Sequence, residues 1–227
     1  MLRGLACASA AAVVLGLTGC GLVNARTADG GGGPMTVGWQ PTAGPPPATP
    51  TEDPAPEGYR AETVSFGGGC PLTVDLLVPE SYEALKPYSD SNRSFGHPDE
   101  TDGSSKAIEL YCSEAYADTA SESVQAKEKY GWESSSTVRA QRKANLGPGY
   151  YWAYQIDLAD TEIYAGLEPT SAFCINYALG AEGKLWDLEY CAFHYTADTE
   201  SQHELATAAA HVSVDGHPIV APEWDLD

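Results

Sequence analysis

The chain has 227 residues, and its 32 acidic side chains outnumber its 12 basic ones to give a formal net charge of −20. Such a surface repels nucleic acid and anionic lipid headgroups, so nucleic-acid binding is excluded as a function. The length beyond residue 60, about 165 residues, suits one domain with a single hydrophobic core.

Residues 1–19 are expected to form a lipoprotein signal peptide. An Ala/Val/Leu-rich run follows Arg3, and the roughly 16 residues before Cys20 are too few to span a bilayer. The run ends in Leu-Thr-Gly-Cys at 17–20, which resembles the lipobox of bacterial lipoproteins. The resemblance implies a diacylglyceryl group on the Cys20 sulfur, which would anchor the mature protein to the extracytoplasmic face of the cell membrane. The alternative is a coincidental cysteine in an ordinary signal peptide.

The cysteine count agrees with cleavage and lipidation at Cys20. Of the six cysteines in the chain, Cys7 would leave with the signal peptide and Cys20 would take the lipid. An even number of thiols is expected in an exported protein whose cysteines form disulfides. Four remain to do so: Cys70, Cys112, Cys174 and Cys191.

Residues 20–59 are expected to be a disordered tether. Gly, Pro and Thr dominate this stretch, and its scattered apolar residues bury too little surface to offset the entropy of ordering. A flexible segment of this length has an end-to-end distance of roughly 35 Å. We therefore expect it to separate the folded domain from the membrane.

Residues 60–222 are expected to form one α+β domain, followed by a C-terminal tail at 223–227. Two helices are predicted, one capped by Asp118 or Thr119 and one capped by Asp198 or Thr199. Most of the domain is predicted to be an antiparallel β-sheet on which these helices pack. Alternating hydrophobicity between turn-forming residues predicts strands at 61–66, 72–79, 106–113, 136–141, 150–158, 172–179 and 184–193.

The hairpin spanning 172–193 has a register that its turn predicts. If residues 182–183 form a two-residue loop, Cys174 lies opposite Cys191 in a non-hydrogen-bonded pair. The Cα atoms of such a pair are about 4.5 Å apart, which is within reach of a disulfide.

The pairing of the other two cysteines follows by elimination. Cys70 would bond to Cys112 and join the second predicted strand to the third. Four cysteines can pair in three ways, so the two other connectivities remain open alternatives.

The order of elements resembles that of a known family. Val-Pro-x-x-Tyr at 78–82 follows a strand, a Gly-rich turn at 146–150 opens an aromatic strand, and an Ala-rich helix closes the domain after a long hairpin. This order resembles the actinobacterial lipoproteins of the LpqN type, whose domain is similar to the PsbP fold. The resemblance covers roughly residues 60–219 and implies an envelope-associated, non-enzymatic binding module. It brings no catalytic residues.

Motifs of hydrolases and metalloenzymes are absent from the sequence. None of the five histidines stands in H-E-x-x-H or H-x-H spacing, and neither G-x-S-x-G nor S-x-x-K occurs. The loop at 89–103 gathers oxygen-bearing side chains that include Asp90, Asn92 and Asp99, and its D-x-N-x-S segment at 90–94 is similar to the start of an EF-hand loop, but Phe95 occupies the position that requires glycine. We expect a solvated acidic loop, with a calcium site as the alternative, and otherwise no metal or cofactor.

Three aromatic residues on one strand are the remaining candidate site. Alternation places Tyr150, Trp152 and Tyr154 on one face, where we expect core beneath a helix. The alternative is a groove for an apolar or sugar ligand.

Three functional hypotheses follow. The first is a membrane-anchored, non-enzymatic binding module for an envelope protein or a small ligand. The alternatives are the solute-recognition component of a transporter, which usually has two lobes, and an envelope hydrolase, for which the sequence offers no activated group.

Overall fold

The computed structural model describes residues 55–67, 69–98, 106–160 and 168–226. The predicted signal peptide, Cys20, nearly all of the predicted tether and Asp99 lie outside these residues. Within them, no helix has both the length and the apolar composition needed to cross a membrane.

The largest element is an antiparallel sheet of seven strands, and it confirms the expected α+β class. The strands are β3 (Glu83–Ala84), β4 (Asn92–Gly96), β5 (Ala107–Glu114), β6 (Thr137–Leu146), β7 (Gly149–Asp157), β8 (Thr170–Ala181) and β9 (Lys184–Tyr195). They lie in the order β3-β4-β5-β9-β8-β7-β6. The long hairpin β8–β9 is therefore central, which explains why its strands are buried over most of their length.

The β8–β9 turn has the conformation that the register prediction requires. Glu182 and Gly183 have φ angles of 53° and 77°, as the two central residues of a type I′ turn do. Cys174 lies opposite Cys191, and their Cα atoms are 4.2 Å apart within a disulfide. The local turn thus determines the pairing of the whole hairpin.

A second disulfide connects the two sheets. Cys70 precedes β2 (Thr73–Pro79) and is bonded to Cys112 of β5, with a Cα–Cα distance of 6.2 Å. The smaller sheet comprises β1 (Tyr59–Ser65), β2, β10 (Ser213–Val214) and β11 (His217–Pro218). The two disulfides, Cys70–Cys112 and Cys174–Cys191, are the pairs expected from the sequence.

The main hydrophobic core lies between one face of the seven-stranded sheet and the covering elements. The smaller sheet and helix α2 (Thr199–Ala209) supply the covering side. Phe173, Ile175 and Tyr190 of the large sheet are fully buried there. Helix α1 (Ala120–Tyr130) packs on the opposite face, across β7 and β8.

Side-chain caps begin both helices where the sequence places them. The Thr119 hydroxyl accepts a hydrogen bond from the Glu122 amide at 3.3 Å, and the Asp198 carboxylate accepts one from the Ser201 amide at 3.0 Å. Each cap satisfies an amide that has no partner within its own helix.

The C-terminal residues are part of the folded domain, so the boundary expected at residue 222 is too early. The side chain of Gln155 donates to the Asp225 carbonyl at 2.7 Å and accepts from the Asp225 amide at 2.8 Å. Trp224 packs edge-to-face on Phe173, with ring centroids 5.0 Å apart. The buried side chains of Gln155 and Phe173 therefore bind the segment that was expected to be a tail.

Candidate functional site

One part of the seven-stranded sheet lies open beside α1. The helix covers β7 and β8, and the same face of β4, β5 and β9 borders a cavity of about 300 Å³. This volume is at the lower end of the range for ligand-binding pockets. The cavity, hereafter the α1 cleft, is lined by Tyr88, Asn92, Glu109, Tyr111, Trp132, Glu189, Cys191 and Phe193.

Strand alternation brings two carboxylates into the α1 cleft. In β5, Ile108 and Leu110 enter the main core, so Glu109 points to the opposite face. In the register of β5 and β9, Glu109 lies opposite Cys191. Glu189 lies opposite Tyr111, which is the next residue of β5 that lines the cleft. The two glutamates are thus diagonal neighbours, a relationship that places side chains within about 7–8 Å of one another.

Glu189 has a cationic partner supplied by α1. The Lys127 ammonium lies 2.8 Å from its carboxylate. Burial lowers the pKa of Lys127, but the charge and the hydrogen bond of Glu189 outweigh this effect and raise that pKa above its ordinary value. The ion pair links the C-terminal half of α1 to the edge of the α1 cleft.

Glu109 lacks such a partner among the residues that the structure describes. Burial raises the pKa of its carboxyl group, and the negative charge of Glu189 raises it further. A half-buried carboxylate beside a like charge is therefore an electrostatically unfavourable feature of the domain at neutral pH.

Asn92 lies at the back of the α1 cleft with one polar atom unsatisfied. Its side chain is 1% exposed, and its Nδ2 donates to the Leu110 carbonyl at 3.4 Å. Its Oδ1 has no hydrogen-bond partner in the described part of the chain. Buried polar atoms without partners are rare in folded proteins, and each requires an explanation.

The position of Asn92 corrects the prediction of a solvated loop at 89–103. Residues 92–96 form β4, because alternation buries Phe95 in the main core and pairs the segment with β5. Asp90 is exposed just ahead of this strand. The calcium alternative is also not supported by the described residues, where no group of three or more His, Cys, Asp or Glu side chains could hold a metal ion.

The aromatic set predicted on β7 is core rather than an open face. Trp152 and Tyr154 are 1% and 0% exposed, and their rings stack with centroids 3.6 Å apart beneath α1. Tyr150 is partly buried against the same cluster. The groove considered for these residues is therefore wrong, since α1 occupies the space that a ligand would need.

Tyr154 nevertheless orients one wall of the α1 cleft. Its hydroxyl oxygen accepts hydrogen bonds from Trp132 Nε1 at 2.9 Å and from Asn176 Nδ2 at 3.0 Å. Burial raises the pKa of Tyr154 far above its ordinary value, so the phenol is neutral at physiological pH. The indole of Trp132 is thereby attached to the core while it lines the cleft.

The other walls are aromatic and more exposed. Tyr111 is 39% exposed and Tyr88 is 76% exposed, whereas Phe193 is buried. Burial raises the pKa of Tyr88, and the charges of Glu109, Tyr111 and Glu189 add to the effect. The residues that line the cleft offer carboxylates, an amide and neutral rings, without a serine, a histidine or a free thiol.

Sequence reasoning missed this site, although part of its signal was present. In the segment KAIELYCS the alternation sends Glu109 and Tyr111 away from the apolar Ile108 and Leu110. This pattern indicates a polar strand face without indicating the neighbouring strand. The pairing of β5 with β9 and the position of α1 are both long-range features, so the convergence of these residues required the structure.

No protein-family model and no curated protein matches the sequence. Solved structures with a similar arrangement include LpqN of Mycobacterium tuberculosis, described as involved in cell envelope biogenesis, with 13% identity over 69% of this chain and 91% of LpqN and a TM-score of 0.46. The cyanobacterial PsbP of Synechocystis has 12% identity over 68% of this chain and 92% of its own, with a TM-score of 0.38. The Ran-binding protein Mog1p of Saccharomyces cerevisiae has 10% identity over 64% and 83%, also with a TM-score of 0.38.

These likenesses concern the fold alone and carry no functional argument, because all three TM-scores are below 0.5. The α+β architecture rests on the strands and helices of the chain itself.

Proposed function

We propose that this chain is a lipoprotein of the cell envelope, anchored through Cys20, whose folded domain is a non-enzymatic binding module with the α1 cleft as its binding site. The support for anchoring is the Leu-Thr-Gly-Cys sequence at 17–20 at the end of a short apolar run. The support for binding is a cavity with aromatic walls in which the Glu109 carboxylate has no cationic partner among the described residues.

The Glu109 carboxylate in the α1 cleft is the observation that carries the binding proposal. Strand alternation turns this side chain away from the main core and into a cavity with aromatic walls, where no cation among the described residues pairs with it. A half-buried carboxylate without a partner costs folding free energy. A ligand that supplies hydrogen-bond donors to this carboxylate would offset that cost on binding.

Binding accounts for the cleft better than catalysis does. A serine, threonine or cysteine nucleophile needs a base within hydrogen-bond reach, and the residues that line the cleft include no serine, threonine, histidine or free thiol. One observation favours glycoside hydrolysis as a second candidate function. Glu109 has a raised pKa and Glu189 is paired with a lysine, so the two carboxyl groups differ in environment as the acid and its partner do in such enzymes.

Metabolic labelling with a fatty acid tests the anchor. The wild-type chain should be labelled and should sediment with membranes, because the Cys20 sulfur carries the acyl chains. Cys20→Ala should lose the label and accumulate as uncleaved precursor or as released protein. Undiminished label in the variant would contradict the lipoprotein proposal.

Native mass spectrometry of the full chain, isolated from envelopes in mild detergent, tests the binding site. We expect a retained small molecule on the wild-type protein and its loss in Tyr111→Ala, which removes an exposed cleft wall. Tyr116→Ala is the matched control, because Tyr116 is fully exposed and does not line the α1 cleft. Equal retention by both variants would contradict the assignment of the cleft. Turnover of glycosides that is lost in Glu109→Gln would support hydrolysis instead.

A further inference from the structure

We propose that the α1 cleft binds a small organic cation whose charged head is a primary ammonium or guanidinium group. This inference rests on the proposed binding function and adds the chemical class of the ligand. Four features of the described residues support it: the charge balance, the aromatic walls, the hydrogen-bond acceptors of Glu109 and the volume of the cavity.

The charge balance of the cleft favours a cation. Glu109 and Glu189 face the same space, and Lys127 is bound to Glu189 at 2.8 Å. Asp187 lies farther along the same face of β9, where the Ser123 hydroxyl donates to it at 2.5 Å. These three carboxylates and one ammonium leave an excess of negative charge, and of the two carboxylates that line the cleft only Glu109 lacks a cationic partner among the described residues. A neutral ligand would bury this charge further, whereas a cation would compensate it.

The aromatic walls favour the same class of ligand. Tyr88, Tyr111 and Trp132 line the cleft beside the carboxylates. A cation within about 6 Å of an aromatic face is attracted by the ring quadrupole, and the attraction grows when water is excluded. The walls also offer apolar surface to the body that carries the charge.

The Glu109 carboxylate favours a cation that can donate hydrogen bonds, because an ionised carboxylate only accepts them. A primary ammonium has three N–H donors and a guanidinium has five. Charge-assisted hydrogen bonds from either group to Glu109 are stronger than neutral ones, whereas a quaternary ammonium has no donor to offer.

The volume of about 300 Å³ restricts the ligand to a small molecule or to one basic side chain of a peptide. Both sources share the same charged head, so an experiment must separate them. Benzylamine and agmatine represent free small cations, and N-acetyl-lysine methylamide represents a peptide side chain.

Binding should also depend on pH. A bound cation favours ionised Glu109, and burial and the neighbouring Glu189 raise the pKa of that group. The other titratable groups at the cleft are Lys127, Tyr88 and Tyr111. Affinity should therefore rise with pH through the titration of Glu109 and level off above it, because proton release accompanies binding below that range.

Fluorine NMR of the full chain labelled with 5-fluorotryptophan measures this binding at the cleft itself. The Trp132 resonance is assigned by its loss in Trp132→Phe. We expect benzylamine or agmatine to shift this resonance in a saturable way. Benzyl alcohol, which lacks the charge, and benzyltrimethylammonium, which lacks the N–H donors, should each bind at least about tenfold more weakly. Glu109→Gln should weaken the amines by about tenfold or more, and the exposed Glu80→Gln should leave them unchanged.

The possible outcomes separate the ligand class from the binding function. Tighter binding of N-acetyl-lysine methylamide than of agmatine would support a peptide side chain as the source, and the reverse order a free small cation. Equal binding of benzylamine to the wild type and to Glu109→Gln would overturn the cation inference. If benzyl alcohol or methyl glucoside shifts Trp132 and the amines do not, the cation inference fails while the binding site stands. If no probe shifts it, the cation inference also fails, and native mass spectrometry still decides the proposed function.

Discussion

Glu109 and Glu189 are diagonal neighbours on the same face of the adjacent strands β5 and β9. Of the two, only Glu189 has a lysine partner within the described residues. The domain therefore maintains a half-buried carboxylate beside a like charge and raises its pKa. Nothing in the packing of β5 requires an acid at position 109, since the neighbouring Ile108 and Leu110 supply the contacts with the core. We interpret this unfavourable electrostatic feature as a property of a binding site.

Replacing Glu109 by glutamine should stabilise the domain at pH 7. A carboxyl group whose pKa is raised in the folded state favours folding only while it is protonated, and this contribution is lost as the pH rises through the folded-state pKa. The gain in melting temperature should thus be present at neutral pH and should vanish below the ordinary glutamate pKa of 4.5. Thermal unfolding from pH 3.5 to 8 measures it, with Glu80→Gln as control. A destabilised Glu109→Gln variant at pH 7 would show that the carboxylate has a favourable partner.

Acidification should destabilise the domain through His194. This side chain is 1% exposed and stacks on Phe173 with ring centroids 5.3 Å apart, and burial lowers its pKa below 6.5. Its Nδ1 lies 3.0 Å from the Tyr195 carbonyl, and its Nε2 is buried without a partner among the described residues. A lowered pKa means that stability is fully present above pH 6.5 and is lost as the pH falls through the folded-state pKa.

The slope of melting temperature against pH between 7 and 5 should therefore be smaller in His194→Gln than in the wild type. The exposed His203 provides the control, and His203→Gln should keep the wild-type slope. If both variants retained that slope, another group would be responsible for the acid sensitivity.

Trp152→Ala should destabilise the domain by about 3–5 kcal/mol. The indole is almost fully buried, stacks on Tyr154, and donates from Nε1 to Gln141 at 3.1 Å. Urea unfolding measures the loss, and the exposed Tyr116→Ala should change stability by less than about 0.5 kcal/mol. Unchanged stability combined with lost ligand binding in Trp152→Ala would mean that the aromatic cluster beneath α1 is itself the site.

The two disulfides should differ in their contribution to stability. Cys70–Cys112 has a sequence separation of 42 and Cys174–Cys191 one of 17. Loop-closure entropy then predicts losses on the order of 4 and 3 kcal/mol when each pair is replaced by alanine. Urea unfolding of the two double variants gives the order. A larger loss for the hairpin disulfide would indicate that the unfolded chain retains the β8–β9 turn or that native packing dominates.

Local features of the sequence predicted most of the fold. The register of β8–β9 follows from its two-residue turn, and Thr119 and Asp198 mark the starts of both helices by hydrogen bonds within one turn. In each case the determining contact lies within a few residues, so its signal is present in a short stretch of sequence.

The parts that could not be predicted depend on distant contacts. Strand β4 is five residues long and lies in a polar run, where Phe95 alone indicates a core-facing position. The packing of Trp224 depends on Phe173, about 50 residues earlier in the chain. The α1 cleft combines both difficulties, because Asn92, Glu109, Trp132 and Glu189 come from four separate elements or loops.

Site-directed photo-crosslinking in the producing cells tests most directly whether the α1 cleft is the binding site of an anchored module. Benzoylphenylalanine would replace Tyr88, which is exposed at the cleft, or Tyr116, which is fully exposed outside it. Irradiation followed by mass spectrometry of the membrane fraction should yield a defined adduct from position 88, and Glu109→Gln in the same chain should reduce it. An adduct from position 116 with none from position 88, or an adduct at 88 that is indifferent to Glu109→Gln, would contradict the account.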